Sequence, residues 1–322
     1  MKQPFWLALC AIFIPPYALS AIERQPCGAL SEPSGVVQLL DGRLLVVEDE
    51  KKNPLRLLSL KKDGTVSVQS LNTTQTLADL EAIDSDENGF IYAITSHSLT
   101  SKAKRSVARE KLVRFKVEGN QLIELSVMPN LKKAMVALSP SLKAASKVLD
   151  VKGNNGFNIE GLSFDRNKEA LLIGLRSPVI DKQAVLLVLK NPKAVFEEGE
   201  PPQFKNKPIY FDLDKGGIRS ITFDSMLNGY LIISRQEKKD KKFKLWFWSG
   251  HDNHAPHRVR FKKNFDLSNA EGITAVSHRG EEKLMVVFDV GNSSKRKNGC
   301  YAFISYSQLK TKAQLKIKEK MP

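Results

Sequence analysis

The stretch IEGLSFDRNKEALLIGLRSP, from Ile159 to Pro178, contains the pattern that decides the fold. A strand that begins with a charged residue leads into a polar turn, and a second, strongly apolar strand follows it. The same pattern recurs in SGVVQLLDGRLLVVEDE from Ser34, LEAIDSDENGFIYAITSHS from Leu80, IRSITFDSMLNGYLIISRQ from Ile218 and AEGITAVSHRGEEKLMVVFD from Ala270. β-rich units repeated at intervals of about 40 to 80 residues predict a β-propeller, in which each blade packs against its neighbours.

Strand counting predicts an all-β chain with five four-stranded blades. Two further apolar strands follow most of the repeated pairs, such as LRLLSL and TVSVQSL in the first unit. The last unit has three clear strands and ends in GCYAFISY, so we expect the segment around 22–30 to supply its outer strand. Six blades remain an alternative, if one degenerate unit is present in addition to these five. Because no linker rich in Pro, Gly or Ser divides residues 22–322, they are predicted to form a single domain.

A short helical insert is predicted at about residues 130–150. Ser139 followed by Pro140 suits an N-cap and a first helical position, which favours two short helices. Apolar residues line one helical face: Leu131, Met135, Leu138, Leu142, Ala145 and Leu149. This stripe is expected to pack against the propeller. Four lysines in the insert leave docking on a membrane surface or on a partner open.

Residues 1–21 predict a secretory signal peptide. Lys2 supplies a positive start, an apolar stretch follows over 5–14, and Ala18, Ser20 and Ala21 suit a cleavage site. The apolar stretch is shorter than the roughly 20 residues that a membrane span needs. We therefore expect cleavage near Ser20 or Ala21 and export to the periplasm or the outside of the cell.

Two cysteines remain after removal of the signal peptide, Cys27 and Cys300. In an exported chain such a pair predicts a disulfide bond, which here would join the two ends of the ring. Two free, buried thiols are the alternative.

The chain is strongly basic, with 50 Lys and Arg against 35 Asp and Glu and a formal charge of +15. One interpretation is a solvated basic surface. The other is attraction to anions, which makes an acidic small molecule, an acidic glycan, a protein partner or an anionic membrane the candidate partners. An exported chain makes nucleic acid an unexpected partner, and we expect a monomer.

Glu81, Glu160 and Glu271 occupy the same position of the repeated phrase, and Gly35 and Arg219 occupy it in the other two units. The first strand of each propeller blade lines the central channel, so these residues should converge. Like charges in a narrow channel raise one another's pKa or recruit a cation, and calcium prefers oxygen ligands. The alternatives are a calcium site on the three glutamates, or pairing of each with backbone donors or Arg219.

A second polar set follows the second strands and should lie at one mouth of the channel: Glu48, Asp49, Ser96, His97, Arg176, Ser177, Ser234, Arg235 and Asp289. We predict that a ligand is bound there by Ser96, Arg176, Ser177, Arg219, Arg235 and Asp289. His97 is a candidate general base, because its ordinary pKa lies near neutrality, or else a hydrogen-bonded turn residue. The sequence contains no GxSxG, HExxH or P-loop motif.

Several of these phrases resemble a bacterial family of unknown function, DUF3616. They are FNIEGLSFD with LLIGLRSP, DLEAIDSDENGFIYAITSHS with Arg109 and Arg114 in REKLVRF, and AEGITAV with VVFDVG. The resemblance extends from about Ser31 to Ser305. It implies a propeller in the neighbourhood of phytase-like and calcium-dependent lactonase-like propellers, and it implies no established activity.

Two functions are compatible with the sequence. The first is an exported propeller that binds an acidic small molecule, glycan or protein at the channel mouth. The second is a calcium-dependent hydrolase of a phosphate ester or lactone, with the three glutamates as metal ligands and His97 or a metal-bound water as the attacking group.

Overall fold

Five antiparallel sheets stand around a common axis, and each repeated phrase supplies the two inner strands of one sheet. The computed structural model describes residues 21–49, 53–61, 65–128, 130–149, 155–236, 242–290 and 298–310. The predicted signal peptide lies outside the described residues, apart from Ala21. The five-bladed propeller is confirmed, and there is no sixth sheet within the described ranges.

The described residues form the following strands in chain order: β1 (Gln25–Pro26), β2 (Pro33–Gln38), β3 (Leu44–Glu48), β4 (Leu55–Leu60), β5 (Val66–Leu71), β6 (Leu80–Ser85), β7 (Ile91–Thr95), β8 (Leu112–Glu118), β9 (Gln121–Met128), β10 (Asn158–Asp165), β11 (Ala170–Ile180), β12 (Gln183–Leu189), β13 (Ile209–Phe211), β14 (Gly217–Asp224), β15 (Gly229–Arg235), β16 (Phe243–Trp248), β17 (His257–Phe261), β18 (Ala270–His278), β19 (Glu281–Phe288), β20 (Cys300–Ser305) and β21 (Leu309–Lys310).

Blade 1 consists of β2 to β5, blade 2 of β6 to β9, and blade 3 of β10 to β13. Blade 4 consists of β14 to β17, and blade 5 contains β18, β19 and β20. The innermost strands β2, β6, β10, β14 and β18 each contact the next one, and β18 contacts β2, so that the ring closes. Apolar clusters fill the five seams between blades, because a twisted sheet buries both faces against its neighbours.

Both chain ends take part in closing the ring. Strand β1 pairs with β20 as the outermost strand of blade 5, with Pro26 opposite Cys300, as the sequence predicts. At the other end β21 adds an unpredicted fifth strand to blade 4, with Phe261 opposite Leu309.

The two cysteines lie on neighbouring strands at this closure. The backbone N–H of Cys27 donates to the carbonyl of Gly299 at 3.0 Å. Burial raises the pKa of the Cys27 thiol, and the nearby Cys300 raises it further. Both cysteines are free thiols in this structure, so the disulfide itself stays a prediction.

The predicted insert forms two short helices, α1 (Leu131–Val136) and α2 (Pro140–Ala145). The Ser139 side chain accepts a hydrogen bond from the backbone N–H of Leu142 at 3.2 Å, which caps α2 as expected. The buried side chains of Leu131, Met135, Leu142 and Ala145 join the apolar cluster between blades 2 and 3. Four of the six residues of the predicted stripe are therefore buried against the propeller, whereas Leu138 is half-buried and Leu149 is exposed.

One further helix, α3 (Pro192–Glu197), was not predicted, and it precedes β13 in blade 3. The described part also contains 3₁₀ turns at Val107–Arg109 and Tyr306–Gln308. Within the described ranges, no helix has both the length and the apolar character needed to cross a membrane.

Candidate functional site on the propeller axis

A β-bulge occurs near the start of every innermost strand, where the pairing with the second strand skips one residue. The skipped residues are Ser34, Glu81, Glu160, Arg219 and Glu271. A bulge bends its strand and changes the direction of a side chain. The bulge residue can therefore point toward the axis, where the bulge residues of the other blades also lie, instead of toward a neighbouring blade. This confirms the repeat position in four blades. In blade 1 the prediction of Gly35 was wrong by one residue, because Ser34 occupies the bulge.

Small residues directly after the bulges bring the innermost strands close together. A Cβ on Gly272 would lie 2.9 Å from the Cα of Gly35, and a Cβ on Gly35 would lie 3.3 Å from the Cα of Ala82. In blade 4 the equivalent Ser220 uses its hydroxyl to accept a hydrogen bond from the backbone N–H of Ile273 at 3.2 Å. The axis is therefore narrow at the level of the charged residues.

In blades 3 to 5 the charged axial residues are paired. Arg176 Nη1 donates to Glu160 Oε1 at 2.7 Å. Arg219 Nε donates to Glu271 Oε2 at 2.9 Å, and Arg219 Nη1 lies 2.6 Å from Glu160 Oε2 in an ion pair without hydrogen-bond geometry. We call Glu160, Arg176, Arg219 and Glu271 the paired half of the axial site. Its two carboxylates and two guanidinium groups balance in charge.

In blades 1 and 2 the bulge residues are Ser34 and Glu81, and two aspartates lie near Glu81. Asp49, Asp79 and Glu81 each offer a carboxylate oxygen, and these oxygens all lie within 4.8 Å of one another. Arg109 forms an ion pair with Asp79 and donates to Ser98 Oγ at 2.8 Å. We call Asp49, Asp79 and Glu81 the acidic half. Its three carboxylates face one guanidinium group.

Among the described residues, the axial network therefore has five carboxylates and three guanidinium groups, an excess of two negative charges. Burial, followed by Glu160, Asp79 and Asp49, raises the pKa of Glu81 well above its ordinary value. Asp49 is an exposed residue whose carboxyl group is partly enclosed by neighbouring protein atoms and is hydrogen-bonded to Asp79. Burial and this hydrogen bond raise the pKa of Asp49 to about 9. Protons can thus compensate the excess charge where no cation is bound.

His97 lies beside this network at the start of the connection from β7 to β8. It is completely buried, and its Nδ1 lies 2.9 Å from the carbonyl oxygen of Thr95. A carbonyl only accepts, so Nδ1 carries the hydrogen and Nε2 presents a lone pair. Burial lowers the pKa of His97 to about 4, and the nearby Lys132 acts in the same direction. Nε2 is therefore an acceptor at neutral pH, and it has no hydrogen-bond partner in the described structure.

A small cavity adjoins His97 under helix α2. Its volume is about 20 Å³, which is room for one water-sized group. Asn158 also contributes to the wall, and its Oδ1 is a second buried acceptor without a hydrogen-bond partner among the described residues. The polar residues that line the cavity are His97, Ser98, Lys132, Ser146, Asn158, Arg176 and Ser177. The cavity thus offers two acceptors to a hydrogen-bond donor.

The other predicted ligand-binding residues differ in availability. The buried Ser96 hydroxyl lies 3.0 Å from Ser98 Oγ, and Ser177 Oγ donates to the carbonyl of Gly156 at 2.6 Å. The Arg235 guanidinium lies over the Phe243 ring, 5.4 Å from its centre. Asp289 is half-buried at the end of blade 5. The structure brings Arg176, Ser177 and His97 around one cavity, whereas Arg235 and Asp289 do not line it.

Asp79, Arg109 and Asn158 were not predicted as site residues. Asp79 immediately precedes a first strand instead of following a second strand, so the strand-end rule misses it. Its backbone has a φ of 61° and His97 one of 55°, a left-handed conformation that is uncommon for residues other than glycine. The backbone N–H of Ser96 donates to the carbonyl of Asp79 at 2.9 Å, which ties these two segments together.

Comparison with protein families identifies the chain. The model of the family described as a protein of unknown function, DUF3616, matches residues 137–303, just over half of the chain. The chain therefore belongs to this family, as its motifs indicate. Comparison with curated proteins finds no match.

Solved structures with a similar fold have low sequence identity to this chain. A structural-genomics target assigned by its solvers as a candidate gluconolactonase has a TM-score of 0.45 at 8% identity and covers 89% of this chain and 93% of its own. A calcium structure of a Trichoderma reesei carbohydrate-active enzyme of family AA12 has a TM-score of 0.45 at 10% identity, covering 89% and 96%. The Malassezia sympodialis allergen Mala s 1 has a TM-score of 0.41 at 10% identity, covering 88% and 94%.

Proposed function

We propose that this chain is an exported propeller that binds an acidic ligand at the channel mouth, together with a divalent cation on the acidic half. The observation that carries the proposal is the excess of two carboxylates over guanidinium groups in the axial network. A single divalent cation would balance this excess. The paired half has no excess negative charge, because its two arginines already neutralise Glu160 and Glu271.

Calcium fits the donor set best. Asp49, Asp79 and Glu81 supply oxygen atoms alone, and calcium takes six to eight oxygen ligands, whereas zinc and copper favour nitrogen and sulfur. Three carboxylates leave part of that coordination to water or to oxygen atoms of a ligand. A calcium ion bound there would attract a carboxylate or phosphate group to the mouth.

The neighbouring residues are suited to orient such a ligand. Arg176 binds Glu160, yet about a quarter of its side chain remains exposed, and it lines the cavity beside His97. A guanidinium group at that place favours an anionic group of the ligand. The lone pairs of His97 Nε2 and Asn158 Oδ1 favour a hydroxyl or water that donates to them. The candidate ligands are an acidic small molecule, a glycan and a segment of a protein.

Hydrolysis of a phosphate ester or lactone is the second candidate, because it would use the same cation site. It also needs a general base with a pKa near the working pH. His97, the candidate for that role, has a pKa of about 4 and is only weakly basic. This observation favours binding over hydrolysis by His97.

Calcium titration of the mature protein tests the proposal. Because a ligand stabilises the state that binds it, calcium at 100 times its Kd should raise the free energy of unfolding by about 2.7 kcal/mol. Isothermal titration calorimetry should give one site per chain, which Glu81→Gln should abolish. Asp41→Asn, a carboxylate at a turn distant from the axis, serves as the matched control and should leave calcium binding unchanged. No binding at millimolar calcium would overturn the cation site.

Export is tested separately. Mass spectrometry of the protein from the cell envelope or medium should find an N-terminus near Ala21 or Ile22. An intact N-terminus at Met1 in that fraction would contradict cleavage.

A further inference from the structure

Each connection between strands lies at one of the two ends of the ring. The bulge residues near the starts of first strands and the residues after second strands meet at one end, which we call the mouth end. The loop 98–111 joins the second strand of blade 2 to its third strand, and 130–149 joins blade 2 to blade 3. Both segments therefore lie at the mouth end. We call these two segments the basic rim.

The basic rim concentrates positive charge. Its 34 residues include nine Lys and Arg and one acidic residue, Glu110. Lys132 and Arg109 turn inward to Glu110 and Asp79. The other cationic residues of the rim, apart from the half-buried Lys111, are exposed: Lys102, Lys104, Arg105, Lys133, Lys143 and Lys147.

The opposite end of the ring has no comparable charge in the described structure. The five connections between first and second strands contain four basic residues, Arg43, Arg166, Lys168 and Arg279, and four acidic ones, Asp41, Asp86, Glu87 and Glu169. Their charges cancel, and the described connections between third and fourth strands, which lie at the same end, contain five lysines against four acidic residues. The positive charge of the described strand connections is thus oriented, and an anionic surface would attract the molecule with its mouth end first.

Two exposed apolar side chains project from the basic rim. Val107 is 69% exposed in the 3₁₀ turn, and Leu149 is 66% exposed after helix α2. The segments that carry them are in contact, since Lys132 Nζ lies 2.6 Å from Glu110 Oε1, and Val148 lines the same cavity as Ser98. Apolar side chains surrounded by lysines are typical of segments that rest in the interface of an anionic bilayer.

We propose that the basic rim docks this propeller on an anionic lipid surface, with Val107 and Leu149 entering the interfacial region and the exposed lysines contacting lipid phosphates. A soluble polyanion such as an acidic glycan would use the lysines as well, but it would gain nothing from two aliphatic side chains. The apolar pair therefore favours the lipid surface. This proposal does not depend on calcium or on the ligand of the axial site.

Vesicle sedimentation tests the proposal. The mature full-length protein is mixed, in the presence of a calcium chelator, with vesicles of phosphatidylcholine or of phosphatidylcholine containing about 30% phosphatidylglycerol. We expect binding to the anionic vesicles, little binding to the neutral ones, and weakening with salt. The chelator keeps the outcome independent of the proposed cation site.

Two double variants separate charge from apolar contact. Lys143→Gln with Lys147→Gln should weaken binding about 25-fold, roughly fivefold for each lysine. Val107→Ser with Leu149→Ser should weaken it about tenfold, because both side chains lose burial in the interface.

Matched controls come from the opposite end of the ring. Leu40→Ser removes an apolar side chain that is 82% exposed, and Lys190→Gln with Lys193→Gln removes two exposed lysines before and within α3. These variants should bind vesicles like the wild-type protein. Circular dichroism should show all variants folded, since every changed side chain is exposed.

Three results would overturn the proposal. One is the absence of binding to anionic vesicles. Another is equal weakening by the control variants. The third is full binding by the Val107 and Leu149 variant together with displacement by dextran sulfate, which would identify the rim as a site for a soluble polyanion.

Discussion

The acidic half and the paired half of the axial site both include residues from the bulges of innermost strands, yet they differ in electrostatic balance. In the paired half, Glu160 and Glu271 share Arg219, and Arg176 supplies the second positive charge. In the acidic half, the described residues form one ion pair, between Arg109 and Asp79, beside the three carboxylates of Asp49, Asp79 and Glu81.

This difference in charge balance suggests a structural role for the paired half and a binding role for the acidic half. A buried carboxylate with a guanidinium partner stabilises the native state only while both partners are present. Carboxylates that lack partners oppose folding unless a proton or a cation neutralises them. The paired half therefore acts as a structural tie between blades 3, 4 and 5, whereas the acidic half retains an unmet demand for positive charge.

Removing the shared arginine should have the largest effect. Arg219→Met keeps most of the side-chain volume but leaves Glu160 and Glu271 buried near each other, and we expect it to lower the free energy of unfolding by about 3 to 5 kcal/mol. Urea unfolding of the purified protein measures this loss. Arg105→Met removes an exposed partner of Glu110, which keeps its ion pair with Lys132, and should cost less than about 1 kcal/mol. Equal losses of free energy of unfolding in both variants would show that Arg219 stabilises the fold no more than an exposed arginine does.

The closure of the ring at blade 5, where β1 pairs with β20, should be stabilised by a disulfide in the exported protein. Closing the loop from Cys27 to Cys300 would stabilise the fold by about 2 to 4 kcal/mol. Thiol labelling under denaturing conditions should find no free thiol in protein isolated from an oxidising compartment, and reduction should lower its Tm. Two reactive thiols per chain in that preparation would contradict the bond.

His97 should make stability depend on pH. Its folded pKa of about 4 lies below the ordinary 6.5, so the unfolded chain binds the proton first as the pH falls. The stabilisation is therefore complete above pH 6.5 and is lost as the pH falls toward 4, a change of about 3 kcal/mol. His97→Asn, which tolerates the left-handed backbone, should remove this share from urea unfolding curves between pH 4 and 8. The exposed His251→Asn is the control, and an unchanged slope in His97→Asn would contradict the assignment.

Two neutralising substitutions should have opposite signs in the two halves. Without calcium, Glu81→Gln removes an unbalanced charge from the acidic half and should raise the free energy of unfolding by about 1 kcal/mol. Glu271→Gln removes a partner of Arg219 and should lower it by about 1 to 2 kcal/mol. Thermal unfolding in the presence of a chelator measures both. Changes of the same sign would break the distinction between the halves.

Most of the fold follows from the sequence because its blades repeat one local pattern. The period-two strands, the tight turns and the Ser139 cap are local features, so the five blades and two of the three helices were predicted. The pairing of β1 with β20 was predicted because the last unit of the sequence has only three clear strands and needs an outer strand from another part of the chain. In contrast, α3 is only six residues long, and β21 pairs with a strand far from it in sequence, so neither leaves a strong local pattern.

The axial site was only partly predictable. The repeat identified Glu81, Glu160, Arg219 and Glu271, but the register of blade 1 depends on a bulge that sequence spacing does not reveal. Which carboxylates are paired depends on how blades face one another across the axis. For this reason the carboxylate oxygens that lie within reach of one cation among the described residues come from Asp49, Asp79 and Glu81, whereas the repeated phrase predicts Glu81 with Glu160 and Glu271.

A crystal structure of the mature protein grown with calcium shows whether the acidic half of the axial site binds a calcium ion. Anomalous scattering locates a bound calcium ion independently of any assumed ligand. We expect one calcium site coordinated by oxygen atoms of Asp49, Asp79 and Glu81, with Glu160 and Glu271 still bound to Arg219. A calcium ion between Glu160 and Glu271, or an axis that remains without calcium at saturating concentration, would contradict it.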